Sequence, residues 1–213
     1  MTTEQIAGID IPDSELAREA TALIRDTTNE LIYNHSRRVF LFGSLQAEAL
    51  DLDPNSELLY VAAMFHDTGL VDMYRTHGQR FEIDGADEAR NFLFTHGVVT
   101  PDADTVWTAI ALHTTPEVPY RMDPVIAATT AGVESDVLGL HLENIRHDLR
   151  DEVVAAHPRP DFKNRILRAF NDGFKDRPDT TFGTVNADVL AHFDPSFTRG
   201  DFVQVIQNSA WPE

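Results

Sequence analysis

The chain has 213 residues, no cysteine, and 17 Lys and Arg against 35 Asp and Glu, a formal net charge of −18. That balance excludes disulfide scaffolds, Cys-type zinc fingers and thiol nucleophiles, and a chain this acidic would have to concentrate its few cations to bind nucleic acid through counterion release. The length suits one domain, residues 1–213, and the longest apolar run, Leu58–Phe65, falls far short of the ~20 residues a bilayer-spanning helix needs.

No basic segment followed by an apolar one opens the chain, so it is expected to be soluble and cytoplasmic, with neither nucleic acid nor membrane as partner. Apolar residues recur at helical spacing and period-two alternation is nearly absent, which predicts an all-α fold. In chain order, helices are expected over 13–27, 30–50, 55–68, 85–96, 103–114, 123–140, 142–156, 161–175 and 198–208. Asp13, Asp84, Asp102 and Asp123 stand where N-caps would satisfy orphan amides, and Pro12, Pro101, Pro116, Pro119 and Pro158 punctuate helix ends. Stretches 70–83, 115–122 and 176–197 read as irregular connections.

Four of these helices carry ligand-type side chains on apolar faces. His35 lies on the stripe of Leu31, Ile32, Val39 and Phe42; the next helix is wholly apolar and ends in His66-Asp67-Thr68-Gly69. His113 closes a helix below Val106, Trp107 and Ile110, and Asp136 shares a face with Thr129, Gly132, Val133 and Leu140. Buried imidazoles and carboxylates need partners, and one divalent metal satisfies several of them at once. A second doublet, His147-Asp148, lies in a polar segment and reads as a solvated face. His77, His157 and His192 read as surface residues, His141 as structural, and His96 as packing at a helix end.

The order His35, His66-Asp67, Asp136, with 31 residues to the doublet and 69 from Asp67 to the last Asp, resembles the H…HD…D signature of the HD metal-dependent hydrolase superfamily. Within it the chain is most similar to the cyanamide hydratase branch, on Tyr33-Asn-His-Ser-Arg-Arg-Val-Phe40, Ala62-Ala-Met-Phe-His-Asp-Thr-Gly69, Phe81-Glu-Ile-Asp-Gly-Ala86, Ala109-Ile-Ala-Leu-His-Thr114 and Ser135-Asp-Val-Leu-Gly139. A weaker likeness continues through 160–165 and 177–181.

The resemblance implies an HD-domain helical bundle, with the metal core near 30–140 and a helical extension over 141–213. It implies one metal, Zn2+ with Fe2+ or Mn2+ also suited to an N/O ligand set, held by His35, His66, Asp67 and Asp136. Asp67 and His113 become catalytic candidates, His113 as proton donor to a substrate nitrogen or as a support. Asn34, Thr68 and Glu82 become candidate contacts to a small-molecule substrate, in a pocket walled by Phe65 and Trp107.

The implied reaction is addition of activated water to a nitrile-like substrate, cyanamide giving urea. The alternative is hydrolysis of a nucleotide or other phosphoester, although Thr68-Gly69-Leu70 lacks the Lys that phosphodiesterase relatives carry after the Gly. In a third reading the metal only braces the core; Asp136→Ala would then melt the fold, whereas a catalytic metal predicts that the helices survive. Phe193, Phe197 and Phe202 offer an apolar face for a homo-oligomer.

Overall fold

Short polar side chains start several of the helices that build the body of the protein. The computed structural model describes residues 4–211, which open with a two-residue antiparallel hairpin, β1 (Gln5–Ile6) and β2 (Ile9–Asp10). Ser14 accepts from the amide of Ala17 to begin α1 (Glu15–Thr27), Asn29 from Ile32 to begin α2 (Glu30–Ala49), and Asn55 from Glu57 and Leu58 to begin α3 (Ser56–Phe65). Then follow α4 (Phe81–Thr95), α5 (Thr100–Leu112) and α6 (Pro124–Val133), the last capped by Asp123. The chain continues through α7 (His147–Ala156), α8 (Phe162–Phe174), α9 (Asn186–Phe193) and α10 (Phe202–Gln207). The fold is all-α, 67% helical.

Of the four expected Asp caps only Asp123 caps. Ser14 takes the place of Asp13, and Asp102 lies inside the first turn of α5. Asp84 sits in the first turn of α4, which begins at Phe81 rather than at 85, and its carboxylate is paired with Arg177. The segment 176–197 holds α9, a helix too short for its periodicity to register. Only 147–156 of the expected 142–156 is α-helical, after a 3₁₀ turn at Leu142–Asn144.

The helix expected over 123–140 is α-helical to Val133 and then widens into a π-helical turn, Glu134–Leu138, ended by Gly139 with φ of 71°. Such turns rotate side chains off the 100° step of the α-helix, so the face assigned to Asp136 by regular periodicity does not hold beyond Val133.

Helix α2 is buried almost all round and runs through the middle of the fold, packing most extensively on α6, while α4 packs on α5. The α2–α6 approach depends on Gly132: a Cβ there would fall onto the carbonyl of Val39. That contact sets the π-helical turn beside His35. A smaller apolar cluster joins Leu31, Ile32, Leu70 and Phe81 to Phe162, Ile166 and Phe174 of α8 and Leu190 of α9. Buried Arg177 reinforces this seam, donating to the carbonyls of Gly69 (2.9 Å), Gln79 (2.7 Å) and Gly173 (3.1 Å). Among the described residues no helix is long and apolar enough to cross a membrane.

Candidate metal centre

Three helices end at one point. Helix α3 delivers His66 and Asp67 at its C-terminus, α5 delivers His113 at its C-cap, and α6 runs into the turn that carries Asp136. Helix C-termini carry partial negative charge, so their convergence favours a cation. Against them lies His35, from the second turn of α2, with all five side chains buried.

Each imidazole is oriented from behind. His66 Nδ1 donates to the carbonyl of Ala63 (2.8 Å), His113 Nδ1 to that of Ile110 (2.7 Å), and His35 Nδ1 to Asp136 Oδ2 (2.7 Å). A neutral ring that donates from Nδ1 presents a lone pair at Nε2. His35 Nε2 and His66 Nε2 lie 3.2 Å apart, and they lie 3.5 and 3.3 Å from Asp67 Oδ2. His113 Nε2 stands 3.7 Å from Asp67 Oδ1. Both oxygens of Asp67 are buried without a hydrogen-bond partner. Facing lone pairs around an unpartnered carboxylate repel one another unless a cation lies among them, here a proton on His66 or a metal ion, and His35, His66 and Asp67 together can hold a metal ion.

The titration of these groups shows the same field. Burial pushes His66 down, but the adjacent Asp67 carboxylate more than offsets it and leaves its pKa above the ordinary value. For Asp67, burial acts upward and the neighbouring His66 charge outweighs it, holding the carboxyl well below the usual range. Burial and then the charge of His66 drive His113 down to about 4, so it is neutral at pH 7. Since its Nδ1 proton is engaged by Ile110, neutral His113 presents an acceptor to the site at Nε2.

Asp136 does not join the cluster of His35, His66 and Asp67. It lies on the Nδ1 side of His35, and its two oxygens accept from Arg38 Nε and Nη2, each at 2.8 Å. The π-helical turn aims it at α2 rather than along the α6 face. Arg38 is fully buried; its Nη1 donates to the carbonyls of His157 (3.1 Å) and Pro158 (3.2 Å), and it stacks 4.8 Å over Phe162.

The site opens onto a cavity of about 290 Å³. Its apolar walls include Val133, Val137 and Leu138 beside α6, Leu167 and Phe170 from α8, and Val185 and Val189 around α9. The expected walls lie elsewhere: Phe65 packs on Phe92 inside the body, and half-buried Trp107 donates to Asp87. Of the expected substrate contacts, Asn34 faces His157 (3.3 Å) on the wall of other cavities, because the helical repeat turns it away from His35. Thr68 spends its hydroxyl on the Phe65 carbonyl (2.7 Å), closing the turn after α3.

Glu82 is buried behind the cavity, where Oε1 accepts from Thr114 (2.7 Å), Asn186 (3.1 Å) and Arg80 (2.9 Å). Burial pushes its pKa up, and the Arg80 contact and the nearby His113 bring it net below the ordinary value. Thr114 and Asn186 themselves line the cavity, and sequence reasoning missed Asn186 because it lies in a stretch taken as irregular. His96 bonds Phe92 and Glu19 away from the site, and His147 and Asp148 are exposed, as their polar segment suggested.

His157 is a correction of a different kind. It is buried, and its Nε2 accepts from Arg37 Nε (3.2 Å). Burial and the charges of Arg37 and Arg38 lower its pKa from 6.5 to about 4. Between those values the unfolded chain binds the proton that the folded chain refuses, so stability falls as pH drops through that window. Thermal melts of wild type are expected to show this decline, and His157→Gln, which keeps an acceptor for Arg37 but cannot titrate, to make it shallower. An unchanged slope would remove His157 from the account.

Comparison with known families agrees with this geometry. No curated protein matches the chain. A family model described as the HD domain matches residues 32–155, more than half the chain and inclusive of His35, His66, Asp67, His113 and Asp136. The chain therefore belongs to the HD-domain family of helical, metal-dependent hydrolases.

Proposed function

We propose that the protein adds water to a small, neutral, nitrogen-bearing substrate, with hydration of cyanamide to urea as the model reaction. The observation that carries this reading is the lining of the cavity. No Lys or Arg is among its lining residues, and Glu134 adds negative charge to it, while the charge of Asp188 is met by Arg199 (2.7 Å). A phosphoester needs cationic or amide clamps for its oxygens, and this cavity supplies acceptors instead. Asn186 gives one amide proton to Glu82, which leaves its Oδ1 as an acceptor, and Thr114, whose hydroxyl proton also goes to Glu82, accepts from Arg80 at a long 3.4 Å and keeps a further lone pair. Acceptors on a fixed wall suit a substrate that carries N–H donors. A volume of about 290 Å³ leaves room for such a molecule and for water, and suits a nucleotide poorly.

His35, His66 and Asp67 would hold the metal, zinc best matching two imidazoles and a carboxylate, with Asp136 setting the His35 tautomer and ring plane. A divalent ion there supplies Lewis-acid activation of water. His113 Nε2, neutral and 3.7 Å from Asp67, is placed to take a proton from water and return it to the substrate nitrogen. Atoms balance as water plus cyanamide giving an isourea that tautomerises to urea. Walls from α8 and α9 complete the cavity that the metal side chains open onto, and we take residues 1–213 to act as one unit for that reason.

The test is urea released from cyanamide by zinc-loaded protein, with Asp67→Ala as blank and p-nitrophenyl phosphate in parallel. Metal-dependent urea absent from the blank is the expected result; phosphate release without urea would transfer the protein to the phosphohydrolases. His113→Ala is expected to retain stoichiometric metal and to lose turnover by ~10²–10⁴-fold, the usual contribution of a general base. Normal turnover in that variant would reduce His113 to packing.

A further inference from the structure

Helix α2 carries a second constellation on the side away from His35. Tyr33 and Arg37, four residues apart, share a helix face, and His35, two residues from each, points elsewhere. That face forms the floor of a cleft of about 520 Å³ between α1 and α2, lined by Arg18, Arg25, Arg37, Tyr33, Tyr60 and Thr21 among others. Three of the 17 cations of a chain of net charge −18 meet here. Arg37 is 3% exposed, and its guanidinium is aimed by two neutral partners: Nε donates to His157 and Nη1 to the Tyr60 hydroxyl (2.6 Å), which is joined to Thr21 (2.6 Å).

Nη2 of Arg37 reaches the carboxylate of Glu4 at 3.2 Å, and this is its only acid partner among the described residues. Glu4 is 61% exposed, so that ion pair is weakly held and readily exchanged for another carboxylate. Across the cleft, Arg25 donates Nη2 to the Tyr33 hydroxyl (2.6 Å), whose own proton has no acceptor among the described residues. Arg18 and Arg25 form no ion pair among those residues, although Asp13 also lines the cleft.

We propose that this cleft is a second ligand site, separate from the metal cavity, that binds a small dicarboxylate. One carboxylate replaces Glu4 on Arg37 and accepts a hydrogen bond from the Tyr33 hydroxyl; the other pairs with Arg25. Glu4 is then an internal competitor, a side chain of the protein standing where the ligand belongs.

Calorimetric titration of the full chain with succinate tests this, at physiological salt so that charge beyond ~8 Å is screened. Inorganic phosphate is the comparison ligand. Wild type is expected to bind succinate saturably, and Arg25→Gln, an exposed change that leaves the ligand-free melt unaltered, to bind it roughly 10-fold more weakly through loss of a charge-assisted contact. Glu4→Gln, with the competitor neutralised, is expected to bind several-fold more tightly. Absence of saturable succinate binding in both wild type and Glu4→Gln overturns the proposal, as does undiminished binding in Arg25→Gln. Phosphate binding as tightly as succinate would overturn the dicarboxylate assignment.

Discussion

Asp67→Asn is expected to lose bound metal and turnover together while the metal-free protein keeps its fold, since relief of a buried charge offsets part of the attraction lost to the neighbouring His66. Asp67 is 1% exposed, and neither of its oxygens accepts a hydrogen bond, so in the metal-free fold its charge is met only by the neighbouring imidazoles, His66 foremost. Metal affinity should fall by more than ~100-fold, because even the outer partners of metal ligands contribute roughly 10–100-fold. Metal analysis after dialysis reads the first effect, and melts in chelator compare the two metal-free proteins. A sharp drop in the metal-free melting temperature would show that Asp67 braces the core. Because the carboxamide keeps the volume and shape of the carboxylate, packing is held constant in the comparison.

Asp136→Ala should behave in the opposite way, destabilising the protein by about 3–5 kcal/mol whether or not metal is bound, the usual cost of leaving one partner of a buried pair uncompensated. The reason is Arg38: fully buried, it gives two of its hydrogen bonds to Asp136 and would keep its charge without a counterion. At ~2–4 °C per kcal/mol for a chain of this size, the melting temperature should fall by roughly 6–20 °C. Arg38→Ala should cost a similar amount, and a hydrophobic replacement of both should recover much of the loss, since isosteric apolar pairs often match buried ion pairs. A melt of Asp136→Ala near that of wild type would mean that Arg38 finds another partner. The expectation that this variant separates a bracing metal from a catalytic one therefore fails: the fold depends on Asp136 through Arg38 in either case. Asp67→Asn makes that separation.

Why one carboxylate was readable from the sequence and the other was not follows from where they stand. His66 and Asp67 end a run that is apolar on every side, so their burial follows from local composition, and His35 sits on a helical stripe whose period is unbroken through α2. Local pattern therefore gave the all-α fold, most helix positions and the histidines and aspartate that converge. Asp136 lies past the point where α6 widens into a π-helical turn, and a regular 100° step carries no information about the direction it takes there.

The same limit applies to the residues that shape the cavity. Val185, Asn186 and Val189, on and just before α9, and Leu167 and Phe170, on α8, meet the metal side chains from outside the matched segment 32–155 and from far along the chain. Asn34 and Glu82 are implied as substrate contacts by the motifs that carry the resemblance, and helix geometry turns one away and buries the other behind Thr114. Periodicity reports which face of an element is apolar. It cannot say which distant element covers that face, since the hydrophobic effect is non-directional and the choice of neighbour rests on close contacts such as Gly132 against Val39. The sequence by itself thus determined the helical class and the identity of the chemistry, a cation among imidazoles and a carboxylate; the tertiary structure alone decided the partner of Asp136, the burial of Arg38 and His157, and the acceptor-lined wall on which the choice of substrate rests.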